Sequence, residues 1–340
     1  MSYITLSKTN YFHNLELLSD KLGAKEKLAV VLKDNAYGHG LMQMATLASE
    51  FGITKAIVKN YDEARVIKDL FDFILILAPN IQEITTEFSL VINSVEMLSH
   101  IPKGAKVHLK IDSGMHRNGI AQEELEEAFI MIAEKGLILE GVMTHFRSAD
   151  ALSTELFWQM KVWKKIKEKA LVLAEKHRFA KPLFHSANSA TLLRLQHYHD
   201  DFARCGIATY GYEEFDAVFG AFHLRSVLQL WGEKIASRNL KKGERVGYGG
   251  VGELSCDAAV STYDIGYGDG IFRYRGEGDL KTAEGLKIIG RISMDNLSVE
   301  GNRDKISLFA DAKALAHYHD TIVYDVLVKL SPTIKRIIVG

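Results

Sequence analysis

Lys33 stands where a short apolar run stops. Ala29-Val30-Val31-Leu32 reads as a buried strand, and Asp34-Asn35-Ala36-Tyr37-Gly38-His39-Gly40 follows with small and turn-forming residues. An amine at the mouth of a buried strand loses its proton more readily through desolvation, and a neutral amine is a nucleophile suited to Schiff-base chemistry. Other polar groups gather at the ends of apolar runs in the same way. Lys110-Ile111-Asp112-Ser113-Gly114-Met115-His116-Arg117 closes one run and Thr144-His145-Phe146 another. His185-Ser186-Ala187-Asn188-Ser189-Ala190 and Arg204-Cys205-Gly206-Ile207 close two more. Singly, each is an ordinary hydrogen-bonding strand end; jointly they point to one site. Further on, Asp264-Ile265-Gly266-Tyr267-Gly268-Asp269-Gly270 sets a phenol in a glycine-rich turn, and Gly290-Arg291-Ile292-Ser293-Met294-Asp295-Asn296 forms a second polar turn.

The elements that must carry these residues alternate in type. Candidate strands are Leu28–Lys33, Ala56–Lys59, Phe73–Ala78, Leu90–Asn93, Val107–Ile111, Leu139–His145, Leu183–Ser186 and Phe202–Tyr210. Amphipathic segments lie between them, with apolar stripes such as Leu125, Ala128, Phe129, Ile132 and Leu156, Met160, Trp163, Ile166. Eight such alternations argue for an α/β fold of the (β/α)8 TIM-barrel type, with a doubly wound open sheet as the alternative. A barrel places its active site at the C-terminal ends of its strands, with a phosphate site commonly after strands seven and eight. The polar clusters fall at those ends.

After residue 222 the helical pattern stops. Leu286–Met294, Lys305–Phe309 and Thr321–Tyr324 read as strands between Gly- and Asp-rich turns. The expected organisation is a barrel over residues 1–221 and a mostly β C-terminal domain over 222–340. Tyr3-Ile4-Thr5-Leu6, within residues 1–10, is a candidate additional strand of that second domain.

Composition narrows the class. With 340 residues, 47% hydrophobic, the chain is a folded globular protein. A formal net charge of -1 gives no electrostatic case for a nucleic acid or a membrane surface. Cys205 and Cys256 have no metal-like spacing, so neither a disulfide scaffold nor a metal site is expected. Met1–Thr5 lacks a basic and apolar leader, and the longest apolar runs fall short of a membrane span. A cytoplasmic enzyme fits these bounds. Gly247-Tyr248-Gly249-Gly250-Val251-Gly252 satisfies G-x-G-x-x-G, but no helical pattern follows it, which argues against a dinucleotide site.

Taken together, the motifs around Lys33, Lys110–Arg117, His145, Ser189, Arg204–Ile207, Tyr267 and Met294 resemble the bacterial alanine racemase family, over nearly the whole chain. The resemblance implies pyridoxal 5'-phosphate (PLP) held as an imine on Lys33. Tyr37, Ser189 and the backbone at Gly206 and Ile207 would bind its phosphate. Arg204 would face the pyridine nitrogen, and an arginine cannot take up that ring proton, which limits electron withdrawal and side reactions. Arg117 would face the phenolic oxygen and the substrate carboxylate, with the Met294 amide also on the carboxylate. Lys33 and Tyr267 would be the two bases that a racemase needs on opposite faces of Cα. A phenol ordinarily ionises near pH 10, so a tyrosine base needs help, and a His145–Arg204 pair is its expected source.

The resemblance further implies carbamylation of Lys110, a homodimer whose active sites combine residues of both chains, and D-alanine supply for peptidoglycan. Related readings are a racemase for serine or lysine, a non-catalytic PLP carrier and a barrel-plus-β-domain decarboxylase. The second half of the chain with Tyr267 argues against the carrier, and the absence of a matching catalytic cysteine and Gly-rich phosphate loop against the decarboxylase. Three departures from the family stand out. Leu330-Ser331-Pro332-Thr333-Ile334-Lys335-Arg336 reads as the stretch that should hold the C-terminal phosphate-binding tyrosine and holds none, His116 stands where glycine is common, and the chain is short.

Overall fold

A computed structural model describes residues 1–215 and 217–340. The N-terminal strand β1 (Tyr3–Ser7) precedes eight short strands: β2 (Leu28–Val31), β3 (Lys55–Val58), β4 (Phe73–Ile76), β5 (Ser89–Ile92), β6 (Lys106–Lys110), β7 (Ile138–Met143), β8 (Leu183–His185) and β9 (Ala203–Cys205). Among the described residues these eight form one parallel sheet in the order β8-β7-β6-β5-β4-β3-β2-β9. The gap between β8 and β9 is bridged by backbone bonds from Asp201 N–H to Phe184 O (2.8 Å) and Arg204 N–H to Ala187 O (2.9 Å). The sheet is therefore a nearly closed barrel. Strands such as Leu28-Ala29-Val30-Val31 are buried along their whole length, as expected when parallel strands are covered on both faces. The intervening helices lay apolar stripes on the barrel. Helix Leu125–Lys135 buries Leu125, Ala128, Phe129 and Ile132 and stops at Gly136, whose φ of 63° suits glycine.

The C-terminal part is built on β10 (Leu228–Leu240), β11 (Arg245–Val246), β12 (Gly252–Glu253), β13 (Ala258–Tyr263), β14 (Ile288–Ile289), β15 (Leu297–Glu300), β16 (Lys305–Phe309) and β17 (Lys335–Val339). Its main sheet runs β14-β15-β13-β10-β1-β17, with β16 also paired to β10. β1 lies antiparallel to β10 and parallel to β17, so the first strand of the chain belongs to this sheet. Chain contacts separate two units: residues 1–11, 37–43 and 226–340, and residues 12–36 and 44–225. Residues 37–43 thus group with the β sheet although they follow the first barrel strand.

Three expected strands are corrected. Phe202–Tyr210 is extended only over Ala203–Cys205; Gly206 leaves the extended region and Ile207–Tyr210 coils into a 3-10 turn. Within Leu286–Met294 the strand covers only Ile288–Ile289, with Lys287 in an isolated bridge to Lys281, and Gly290, with a φ of 74°, breaks the ladder. In Thr321–Tyr324, Thr321 and Ile322 lead into helix Val323–Val328, whose Val323, Val326 and Leu327 are buried at helical spacing. The G-x-G-x-x-G segment passes through a 3-10 turn into β12 with no helix after it.

Candidate active site

Lys33 follows β2, and the backbone after it does something unusual. Asp34, Asn35, Ala36 and Tyr37 have φ values of 53°, 55°, 51° and 53°, a left-handed turn of four consecutive non-glycine residues. Such residues are strained individually, Asp and Asn least so. The turn is held by Ala36 N–H to Leu32 O (2.8 Å), Asn35 N–H to Glu63 Oε1 (3.2 Å) and Lys59 Nζ to Asp34 Oδ1 (2.7 Å). Tyr210 donates its hydroxyl to Val31 O (3.0 Å), pinning the strand end beside Lys33 to the loop after β9. Lys33 Nζ lies 4.0 Å from Asp34 Oδ2.

The other barrel residues singled out in the sequence occupy the same end of the strands. Lys110 closes β6, His145 follows β7, Ser189 opens the helix after β8, and Arg204 sits in β9 with Gly206 and Ile207 just beyond it. Arg204 is buried. One terminal nitrogen donates to His185 Nδ1 (2.8 Å) and His185 O (2.7 Å), the other to Thr144 O (2.7 Å) and Ser186 O (3.1 Å). Those four bonds use four of the five guanidinium N–H groups. Nε–H is left for a ligand, and no described residue accepts from it. Burial brings the Arg204 pKa down to about 10, so the group stays charged at neutral pH.

The site is strongly cationic. Burial, then the charges of Arg117 and Arg204, bring the Lys110 ammonium down to about 8; Asp112 opposes them and Lys33 adds to them. Lys110 donates to Asn118 Oδ1, and Asn118 donates in turn to Asn93 Oδ1 (3.0 Å). Asp112 is one carboxylate against several cations, and it is held in place by the amides of Gly114 (2.8 Å), Met115 (2.9 Å) and His116 (3.0 Å). Arg117 is exposed and makes no ion pair among the described residues. His116 has a φ of 55°, which explains why glycine would be comfortable there.

His145 follows β7 and lies among these cations. Burial and the charges of Arg204, Lys110, Arg117 and Lys33 hold its pKa down to about 3, so the ring is neutral. No hydrogen bond joins it to Arg204 among the described residues.

A phosphate-sized anion has a ready cradle. The amides of Gly206 and Ala208 both point at Ser189 Oγ, at 3.1 and 3.3 Å. Two converging amides and a hydroxyl beside a cationic cluster suit an anionic group.

In the β unit, Tyr267 and Met294 are held together. Tyr267 N–H donates to Ser293 O (3.0 Å) and Gly268 N–H to Met294 O (2.8 Å). A Cβ on Gly266 would lie 2.2 Å from Met294 O, so glycine is what lets the two turns touch. Both side chains are exposed, Tyr267 at 37% and Met294 at 56%. The Arg273 guanidinium stands 5.8 Å from the Tyr267 ring centre.

Sequence reading missed Tyr324. Its ring centre lies 5.8 Å from that of Tyr37, and Gly38 is pressed against the same helix, where a Cβ would meet Leu327 O at 2.0 Å. A tyrosine near the C-terminus is therefore present, ahead of the 330–336 stretch where it was sought. The signal was the phenol in Ile322-Val323-Tyr324-Asp325, hidden by reading that stretch as a strand.

Comparison with known proteins agrees with this geometry. The sequence profile described as "Alanine racemase, N-terminal domain" matches residues 6–214, and "Alanine racemase, C-terminal domain" matches residues 227–338. The chain belongs to the alanine racemase family. It is 50% identical over 336 residues to the alanine racemase of a Nitratiruptor species, covering 99% of each protein. The crystal structure of Bacillus anthracis alanine racemase with bound L-Ala-P superposes with a TM-score of 0.88 at 26% identity, over 100% of this chain and 95% of the other. A histidine racemase from Leuconostoc mesenteroides subsp. sake superposes at 0.85 with 25% identity, over 100% and 98%. The alanine racemase family is thus an enzyme family whose fold also serves another amino acid.

Proposed function

We propose that this protein interconverts L- and D-alanine with PLP by a two-base mechanism, in the cytoplasm, supplying D-alanine for peptidoglycan. The observation that carries the cofactor is the cationic barrel mouth, in which Arg204 keeps one uncommitted N–H and Gly206 and Ala208 converge on Ser189. These residues fit a phosphorylated pyridine: Ser189, Gly206 and Ile207 would hold the phosphate, with Tyr37 as the family resemblance implies, and Arg204 Nε–H the ring nitrogen. Bound to Lys33, PLP would draw electron density from the substrate and acidify its Cα–H. His145, neutral and flanked by cations, serves as a hydrogen-bonding neighbour of the ring.

Lys33 and Tyr267 are the two bases: one takes the Cα proton from one face and the other returns a proton to the opposite face. Arg117 and the Met294 amide bind the substrate carboxylate. The working unit is a homodimer in which Lys33 of one chain and Tyr267 of the other serve one substrate. Alanine is favoured over serine, lysine or histidine by the 50% identical relative, itself an alanine racemase. Borohydride treatment of the PLP-loaded protein, followed by peptide mass spectrometry, tests the cofactor site. Fixation of the cofactor on Lys33 is expected, and fixation on any other lysine contradicts the reading.

A further inference from the structure

Behind Arg204 the barrel interior holds a line of polar side chains, His185, His108 and Glu140, that the proposed chemistry does not use. Arg204 donates to His185 Nδ1 (2.8 Å), His185 Nε2 lies 2.9 Å from His108 Nδ1, and His108 Nε2 lies 3.0 Å from Glu140 Oε2. Ser89 Oγ donates to the same carboxylate oxygen, and Lys106 Nζ stands 3.9 Å from the other. Both histidines are fully buried. His185 stacks on Phe202 with ring centres 4.2 Å apart, and Phe73 packs edge-on against both His108 and Phe202.

The two ends of this line decide its direction. A guanidinium can only donate and a carboxylate can only accept. His185 must therefore present a bare Nδ1 to Arg204, so its proton is on Nε2 and points at His108. His108 must accept on Nδ1, so its proton is on Nε2 and points at Glu140. Protonating either ring would set an N–H against an N–H somewhere in the line. Both rings are neutral, which agrees with burial lowering the pKa of each, for His108 against the opposing pull of Glu140. Burial alone would raise the Glu140 carboxyl, but the bonds from His108 and Ser89 outweigh it and hold it below the ordinary range.

The backbone is shaped to seat this line. Val107 pairs with Leu139 but His108 pairs with Gly141, so Glu140 is an extra, bulged residue on β7. Regular pleating would turn Glu140 and Gly141 to opposite faces, yet both serve one ring. Glu140 binds the His108 edge, and a Cβ on Gly141 would lie 2.1 Å from His108 Nδ1.

We propose that Glu140 is a positioning residue for Arg204: through His108 and His185 it fixes the direction of the hydrogen bonds that orient the guanidinium. Its consequence for catalysis rests on the reading of Arg204 as the group facing the cofactor ring. Without the carboxylate, the buried His108 Nε2–H has no acceptor; moving that proton to Nδ1 puts Nδ1–H on His185, and Arg204, whose same terminal nitrogen still has His185 O, gives up its bond to the ring.

The test is the tautomer of His108 and His185 in 15N-histidine-labelled protein as purified, with each signal assigned by its loss in H108F and H185F. Long-range proton–nitrogen correlation separates Nδ1–H from Nε2–H. Both rings should be neutral and Nε2-protonated. In E140L both should shift to Nδ1–H, whereas E140Q, whose amide oxygen still accepts, should keep the native forms. If E140L does not fold, G141A leaves Glu140 in place and should move the His185 signal by displacing the His108 ring. An imidazolium or Nδ1–H form of His108 in the wild type, or a His185 signal unmoved by E140L or by G141A, overturns the proposal. In the PLP-loaded enzyme, E140L should lose about tenfold in kcat/KM, ~1.4 kcal/mol of barrier, with E140Q within about twofold of wild type. The tautomers are read without turnover, so the two readings fail separately. A failed functional reading leaves responsive tautomers in a protein without racemase activity, and a failed proposal leaves an active racemase whose tautomers ignore Glu140.

Discussion

Lys110 carries its amine among Arg117, Arg204 and Lys33, and burial with those charges brings its pKa down to about 8. About a tenth of it is then neutral at pH 7, and a neutral amine adds to carbon dioxide: the N–C bond forms, a proton leaves to solvent and a carbamate anion remains. That anion would face the exposed Arg117. Bicarbonate labelled with 13C should therefore give a protein-bound carbamate signal that grows between pH 7 and pH 9 and is missing in Lys110→Ala. A wild-type protein with no such signal across this range would contradict it. Sequence reading located Lys110, Lys33 and Arg204 because a charged residue at the end of an apolar run is visible in one dimension. It could not find Glu140, whose role depends on a bulge, or connect Tyr324 to Tyr37, a contact across more than half the chain.

The strands of the barrel were legible as elements because β-branched runs bounded by turn residues have few other uses. Less was legible where backbone geometry overrides side-chain preference. Ile322-Val323-Tyr324 has strand-like residues, yet burial of Val323, Val326 and Leu327 favours a helix. Lys33 is followed by a left-handed turn that Asp34 and Asn35 tolerate and Ala36 does not favour. The Gly-Tyr-Gly turn is a case where the glycines explain themselves only in three dimensions. Gly266→Ala would drive a methyl into the Met294 carbonyl, and Gly270→Ala would place one 1.8 Å from Lys329 O. Each should destabilise the β unit by about 2–3 kcal/mol, read as a lower denaturation midpoint at unchanged slope. A midpoint equal to wild type for both would show that these turns separate without cost.

At the scale of the molecule, the barrel carries Lys33 and the β unit carries Tyr267, and the two-base racemisation we propose requires both at one Cα. Mixing inactive Lys33→Ala with inactive Tyr267→Phe should restore activity, since half of the sites in a heterodimer would hold both native bases. No recovery after verified subunit exchange would place both bases in one chain. The central claim is that these two residues move the Cα proton of alanine. Incubating the protein with PLP and either alanine enantiomer in 2H2O, with chirality and Cα deuterium followed together, tests it most directly. Each enantiomer should give a deuterated racemate with the wild type, and Tyr267→Phe should suppress exchange from one enantiomer far more than from the other. Absence of Cα exchange in the PLP-loaded wild type, or equal loss for both enantiomers in Tyr267→Phe, would contradict it.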